Sequence, residues 1–174
     1  MNKYNPFKCP LEELDITGIE ELINVTEGWF VEYKRECAPK SFGKEVSAFA
    51  NSHGGWLVVG LDEDEKTGKP NGSGPGIDSR IVRKLMDSYR DSASSQCSPA
   101  PQILIKAIEG PSKILGLAQE KSVIVVEVPE SRKKPHIHCT GSIYRRQIDN
   151  SEPIWYGFSF LLIHIFEYCN LREG

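Results

Sequence analysis

The sequence predicts a single α/β (α+β) domain, a mixed β-sheet packed by helices, and three observations carry that prediction. EGWFVEYKRE, residues 27–36, alternates: Trp29, Val31 and Tyr33 fall on one side, Phe30, Glu32 and Lys34 on the other. That is the period-2 pattern of a strand with one face buried. WLVVG, from Trp56, is a nearly continuous apolar run, as expected of a central strand covered on both faces. Between them, Val46, Phe49 and Ala50 form a compact helical stripe that Gly54-Gly55 would end. Strands alternating with helices give one α/β domain with a mixed sheet.

The bulk composition sets the limits. A chain of 174 residues, 39% hydrophobic and 26% charged, is long enough to bury one core and is neither disordered nor a coiled coil. No apolar stretch reaches the roughly 18 residues that span a bilayer. The longest, IWYGFSFLLIHIFEY from Ile154, carries His164 and Glu167. MNKYNPFKCPLEELD has no signal-peptide core, so a cytoplasmic protein without membrane partners is expected. Five scattered cysteines with no C-x-x-C pair argue for reduced thiols. The net charge of −3 means that any nucleic-acid-binding surface has to be a local basic patch.

Taken in order, residues 11–24 (LEELDITGIEELIN) predict a short acidic helix with Leu11, Leu14, Ile19, Leu22 and Ile23 on its apolar face. The stretch of residues 27–36 follows as a strand, then a helix that Ser41 could cap, then the strand WLVVGLDED, which ends in acid at Asp62, Glu63, Asp64 and Glu65. KTGKPNGSGPG lacks the G-x-x-x-x-G-K-[ST] spacing of a phosphate cradle and is expected to be a mobile surface connection; no nucleotide or organic cofactor is predicted. A helix is expected at 77–91, strands at 102–109 and 122–129, and a last short strand at SIYRRQI. The organisation is therefore a helical lead-in over 1–24, a domain over 25–150, and an apolar closing segment over 151–174, either a helix or a dimer surface.

Two charged clusters stand out. Glu32 and Lys34 share a strand face and would form an ordinary ion pair if that face is solvated. Asp62, however, ends the central strand, where open α/β sheets place functional groups. With the two strands adjacent, Glu32, Asp62 and Glu27 would converge. Clustered carboxylates repel each other, and Mg²⁺ or Mn²⁺, which prefer oxygen ligands, relieve that repulsion. Lys34 would then contact phosphate. The second cluster runs from SRKKPHIHC to IYRR: Arg132, Lys133, Lys134, His136, Tyr144, Arg145 and Arg146, which a hairpin would gather into a basic patch with a stacking aromatic. His136, His138 and Cys139 supply at most three zinc ligands with no second pair, so zinc is disfavoured.

These residues resemble a known family. Glu27 with Glu32-Tyr33-Lys34, then Ala48 through Asp62 (AFANSHGGWLVVGLD), then Val128-Pro129-Glu130-Ser131 with Pro135, then Tyr144 and Arg146, follow the order of motifs in the AlbA-like Schlafen domain (Schlafen AlbA_2). The match covers about 25 to 150. The resemblance implies nucleic-acid binding, to DNA or RNA. For part of the family it implies divalent-metal-dependent endoribonuclease activity on structured RNA such as tRNA, using three carboxylates. Carried over, these fall on Glu27, Glu32 and Asp62, with Lys34 beside them. One copy is present where animal Schlafens use two as a clamp, so a clamp would take a homodimer.

Two rivals stay open beside the nuclease. One is a non-catalytic DNA-binding module of the transcriptional-regulator type. The other is an interaction module dimerising through Ile154–Tyr168.

Overall fold

The computed structural model describes residues 4–148 and 151–154. The main sheet contains β1 (Val31–Lys34), β2 (Gly55–Val59), β5 (Ile77–Asp78), β7 (Leu104–Glu109) and β8 (Lys121–Val128). β1 and β2 run parallel, with Glu32 opposite Leu57, and the helix α2 (Pro39–Asn51) crosses between them. β8 is the central element. Ile124 pairs with both Val59 and Ala107, so β2 and β7 occupy its two edges, and Ser122 pairs with Ile77 of β5 beyond the end of β2. The sheet is mixed, as expected.

A second sheet is ordered β11 (Ser151–Ile154), β10 (Ile143–Arg146), β9 (Ile137–His138), β6 (Cys97–Ser98). The short strands β3 (Glu63–Asp64) and β4 (Lys69–Pro70) form a hairpin whose second strand lies inside the glycine-rich connection expected to be a loop. Asp64 nucleates it: its Oδ1 accepts the amides of Lys66 and Thr67, an Asx-type turn.

The main sheet is buried on both faces, and side-chain alternation sorts the two cores. Val31, Tyr33, Trp56, Val58, Val123 and Val125 face the N-terminal lead-in, packing with Phe7, Leu11, Leu14, Ile19 and Leu22. Leu57, Val59, Ile124, Val126 and Val128 face α2 and α3 (Ser79–Gln96), packing with Phe42, Val46, Phe49 and Tyr89. On the second face the rings of Phe42 and Tyr89 stack at 4.2 Å. Glu32 and Lys34, alternating with Val31 and Tyr33, therefore point to the α2 side.

Several elements differ from expectation. The lead-in is not one helix but a five-residue helix, α1 (Ile16–Glu20), between 3-10 turns at Leu11–Glu13 and Glu21–Asn24. Asp15 caps α1 through the amide of Gly18. The strand expected within 27–36 is regular only over Val31–Lys34, and Trp29 is exposed rather than in a buried row. α2 begins at Pro39, not after Ser41, because proline at the first helical position has its φ preset and has no N–H to satisfy. α3 runs on to Gln96. The Gly54-Gly55 pair does end α2: Gly54 has φ +74°, and a Cβ there would lie 2.6 Å from the Glu130 nitrogen and the Val128 carbonyl. Only glycine fits that approach. The closing segment beyond Ile154 lies outside the described residues. No helix among the described residues is long and apolar enough to cross a membrane.

Candidate nucleic-acid interface and acidic cluster

The site begins with β1. Strand alternation puts Glu32 under α2, where its side chain is 1% exposed. An ionised carboxylate there needs charged partners, because desolvation costs several kcal/mol per ion. Two are supplied: Lys34 donates to Oε1 and Arg146 to Oε2. Arg146 enters from β10, 0% exposed in its side chain, with its guanidinium 4.8 Å above the Phe49 ring and its Nη2 donating to the Gly28 carbonyl at 2.8 Å. Burial opposes the Lys34 charge, but the hydrogen bond and charge of Glu32 outweigh it and raise the Lys34 pKa.

Glu27 and Glu63 complete an acidic cluster. The Glu27 amide donates to the Gly68 carbonyl at 2.7 Å, which ties the segment before β1 to the β3–β4 hairpin. The same hairpin presents Glu63. The Glu27 carboxyl is pushed up to about 10, first by burial, then by its hydrogen bond to Glu63 and the charge of Glu32. At neutral pH Glu27 thus holds a proton. Glu63 Oε2 is buried with no hydrogen-bond partner.

Asp62, the acid expected from the sequence, is turned the other way. Its Oδ2 takes the Arg35 guanidinium at 2.9 Å in a partly exposed pair. Glu63, one residue on, is the acid that meets Glu27. The signal was present in the run Asp62-Glu63-Asp64-Glu65, but choosing among adjacent acids needs the register of the hairpin. Glu45 was also missed: buried in α2, it accepts from Ser151 Oγ at 2.7 Å and adds negative charge near Lys34. An open cavity of 440 Å³ adjoins the cluster, lined by Lys34, Arg35, Glu36, Asp62 and Glu63 among others.

Among the described residues, no group of three or more His, Cys, Asp or Glu is arranged to hold a metal ion. Glu32 has both oxygens occupied by cations, and Glu27 hydrogen-bonds to Glu63. Two carboxylates, one of them with an unpartnered buried oxygen, fit Mg²⁺ or Mn²⁺, which take one or two carboxylates and complete their shell with water and substrate phosphate.

The expected basic patch is divided by the fold. Arg132, Lys133 and Arg145 are exposed. Lys134 is pinned to the Ser52 carbonyl at 2.5 Å and to Glu130 at 2.7 Å. Tyr144 is half-buried, edge-on to His138, with the Lys44 ammonium 5.5 Å from its ring centre. Two residues leave the patch. Arg146 is the buried counter-ion of Glu32, and His136 is 1% exposed with Nδ1 2.6 Å from the Pro99 carbonyl and its pKa lowered by burial. Both read as surface residues in the sequence because a short strand does not declare which of its faces is covered.

The fold and the acidic cluster define a class. The chain belongs to the Schlafen, AlbA_2 family, whose profile matches residues 27–154 and whose domains generally bind nucleic acid. Among solved structures, the chain is similar to the crystal structure of the DIP2311 protein from Corynebacterium diphtheriae, at 20% identity and a TM-score of 0.43. That likeness covers 72% of this chain and 22% of the other, so the chain spans about a fifth of that protein's length. No curated protein matches it.

Proposed function

We propose that this domain binds structured RNA such as tRNA and, with Mg²⁺ or Mn²⁺, cleaves its phosphodiester backbone at Glu27, Glu32 and Glu63. The observation that carries this reading is the uneven compensation of the acidic cluster. Glu32 has two cations, whereas Glu27 keeps a proton and Glu63 Oε2 has no partner. A divalent cation held by Glu27 and Glu63 would replace that proton and supply water activation and charge neutralisation at the leaving oxygen. Lys34, 37% exposed at the cavity wall, directs its ammonium toward a phosphate while remaining paired with Glu32. Arg146 fixes Glu32 from behind. A homodimer would supply the second half of a clamp, which sedimentation with and without tRNA tests.

The test is cleavage of tRNA in Mn²⁺ by wild type, Glu63→Gln and Asp62→Asn, with thermal unfolding of each protein in Mn²⁺ and in EDTA. Expected outcomes are cleavage and Mn²⁺ stabilisation for wild type and Asp62→Asn, and loss of both in Glu63→Gln. Intact tRNA with wild type would remove the nuclease. If Asp62→Asn alone loses both, the site belongs to Asp62.

A second reading, a non-catalytic DNA-binding module, is favoured by the saturation of Glu32, which a purely structural ion triad would also show. It predicts salt-sensitive DNA binding that EDTA leaves unchanged.

A further inference from the structure

One surface is left over by the acidic cluster and by both cores. Trp29, next to Phe30 and two residues after Glu27 in the chain, is 45% exposed, and Tyr4 is 43% exposed. Tyr4 stacks on Phe30 with centroids 5.2 Å apart and planes at 29°. Phe30 in turn tilts toward the exposed His53, 6.3 Å away. The row is anchored, because the Tyr4 carbonyl accepts from Trp56 Nε1 at 3.2 Å. Phe7 already covers the Trp56 ring edge-on at 5.0 Å, and none of Tyr4, Trp29, Phe30 or His53 belongs to either hydrophobic core.

The row ends at the basic loop. Ser52, next to His53, offers its carbonyl to Lys134, and that bond together with the Lys134–Glu130 pair fixes the loop from which Lys133 projects into solvent. Rings in series beside fixed cations match a strand of unpaired nucleotides. Every base has a π-face to stack, and the phosphates need only local positive charge. A duplex keeps its base faces internal and gains nothing from such a row.

We propose that Trp29, Tyr4, Phe30 and His53 form a base-stacking platform for single-stranded nucleic acid, with the loop of residues 131–134 holding its backbone, so that the strand is led past Glu27. This deepens the nucleic-acid reading above and rests on it.

The test measures fluorescence anisotropy of labelled oligouridylate, oligothymidylate and a duplex of equal length, with wild type, Trp29→Ala, Trp29→Ala/Tyr4→Ala, Trp29→Phe and Lys133→Ala, over a salt series. Trp29→Ala is expected to weaken single-strand binding about tenfold, with Trp29→Phe restoring most of it. Duplex binding and the salt slope should stay as in wild type. Lys133→Ala should instead lower the salt slope and weaken both forms. Single-strand affinity unchanged in the double variant, or an equal loss for strand and duplex, overturns the platform alone. Wild type binding neither strand nor duplex overturns the platform and the nucleic-acid reading together.

Discussion

Glu32 and Glu27 sit five residues apart and solve the problem of burial in opposite ways. Glu32 meets two cations, Lys34 on one carboxylate oxygen and Arg146 on the other. Glu27 has no such cation and keeps its proton instead. The sign of the pH dependence follows. Below the ordinary value of 4.5, folded and unfolded chains both hold the Glu27 proton, and stability is full. As pH rises past it, the unfolded chain ionises while the folded one does not, so stability falls until pH reaches about 10. In metal-free buffer the melting temperature of Glu27→Gln should therefore gain on wild type steadily from pH 5 to 9. Groups that the substitution leaves unchanged contribute equally to both proteins and cancel in the difference. A constant difference across that range would mean that Glu27 is ionised in the fold.

At the scale of elements, the AFANSHGG segment works mainly as a joint. Asn51, at the end of α2, donates to the carbonyls of His136 and Tyr144 at 3.0 Å each and accepts from the His136 amide at 2.7 Å. Ser52 Oγ accepts the Arg146 amide at 2.9 Å. One helix terminus thus holds β9 and β10 in place and, through β10, sets Arg146 on Glu32. Removing Asn51 leaves three buried backbone groups unpaired, each worth about 1–3 kcal/mol. Asn51→Ala should therefore lower the urea-unfolding free energy by about 3 kcal/mol or more. Asn51→Asp, which keeps the acceptor but sets a carboxylate oxygen against the His136 and Tyr144 carbonyls, should lose at least as much. A clearly smaller loss for Asn51→Asp would show that the acceptor bond to the His136 amide dominates.

For the whole molecule, the two cores share one sheet, with β2 and β8 contributing alternate residues to each. Neither core can be lost without stripping the other's strands. Leu22→Ala on the lead-in face and Val46→Ala on the α2 face should each lower a single unfolding transition by about 2–4 kcal/mol, Val46→Ala less because it deletes fewer atoms. Tryptophan fluorescence and circular dichroism should trace the same curve. Separate transitions for the two variants would show that the faces unfold independently. The charge of −3 is likewise no guide at this scale, since the cations of residues 132–146 are sorted into a buried counter-ion, Arg146, a pinned loop group, Lys134, and the exposed Arg132, Lys133 and Arg145.

The sequence by itself determined the mixed α/β sheet, the central buried strand, the glycine stop after α2 and the nearness of the Glu27 and Glu32 carboxyls. Those rest on period, run length and glycine geometry, which are local properties. Tertiary structure alone decided that Arg146 and His136 are interior, that Asp62 pairs with Arg35 while Glu63 meets Glu27, and that Trp29 and Tyr4 are exposed. Each of these depends on which face another element covers. A strand's alternation states that two faces differ, and only the packing of α2, β10 and the β3–β4 hairpin states which face holds a charge.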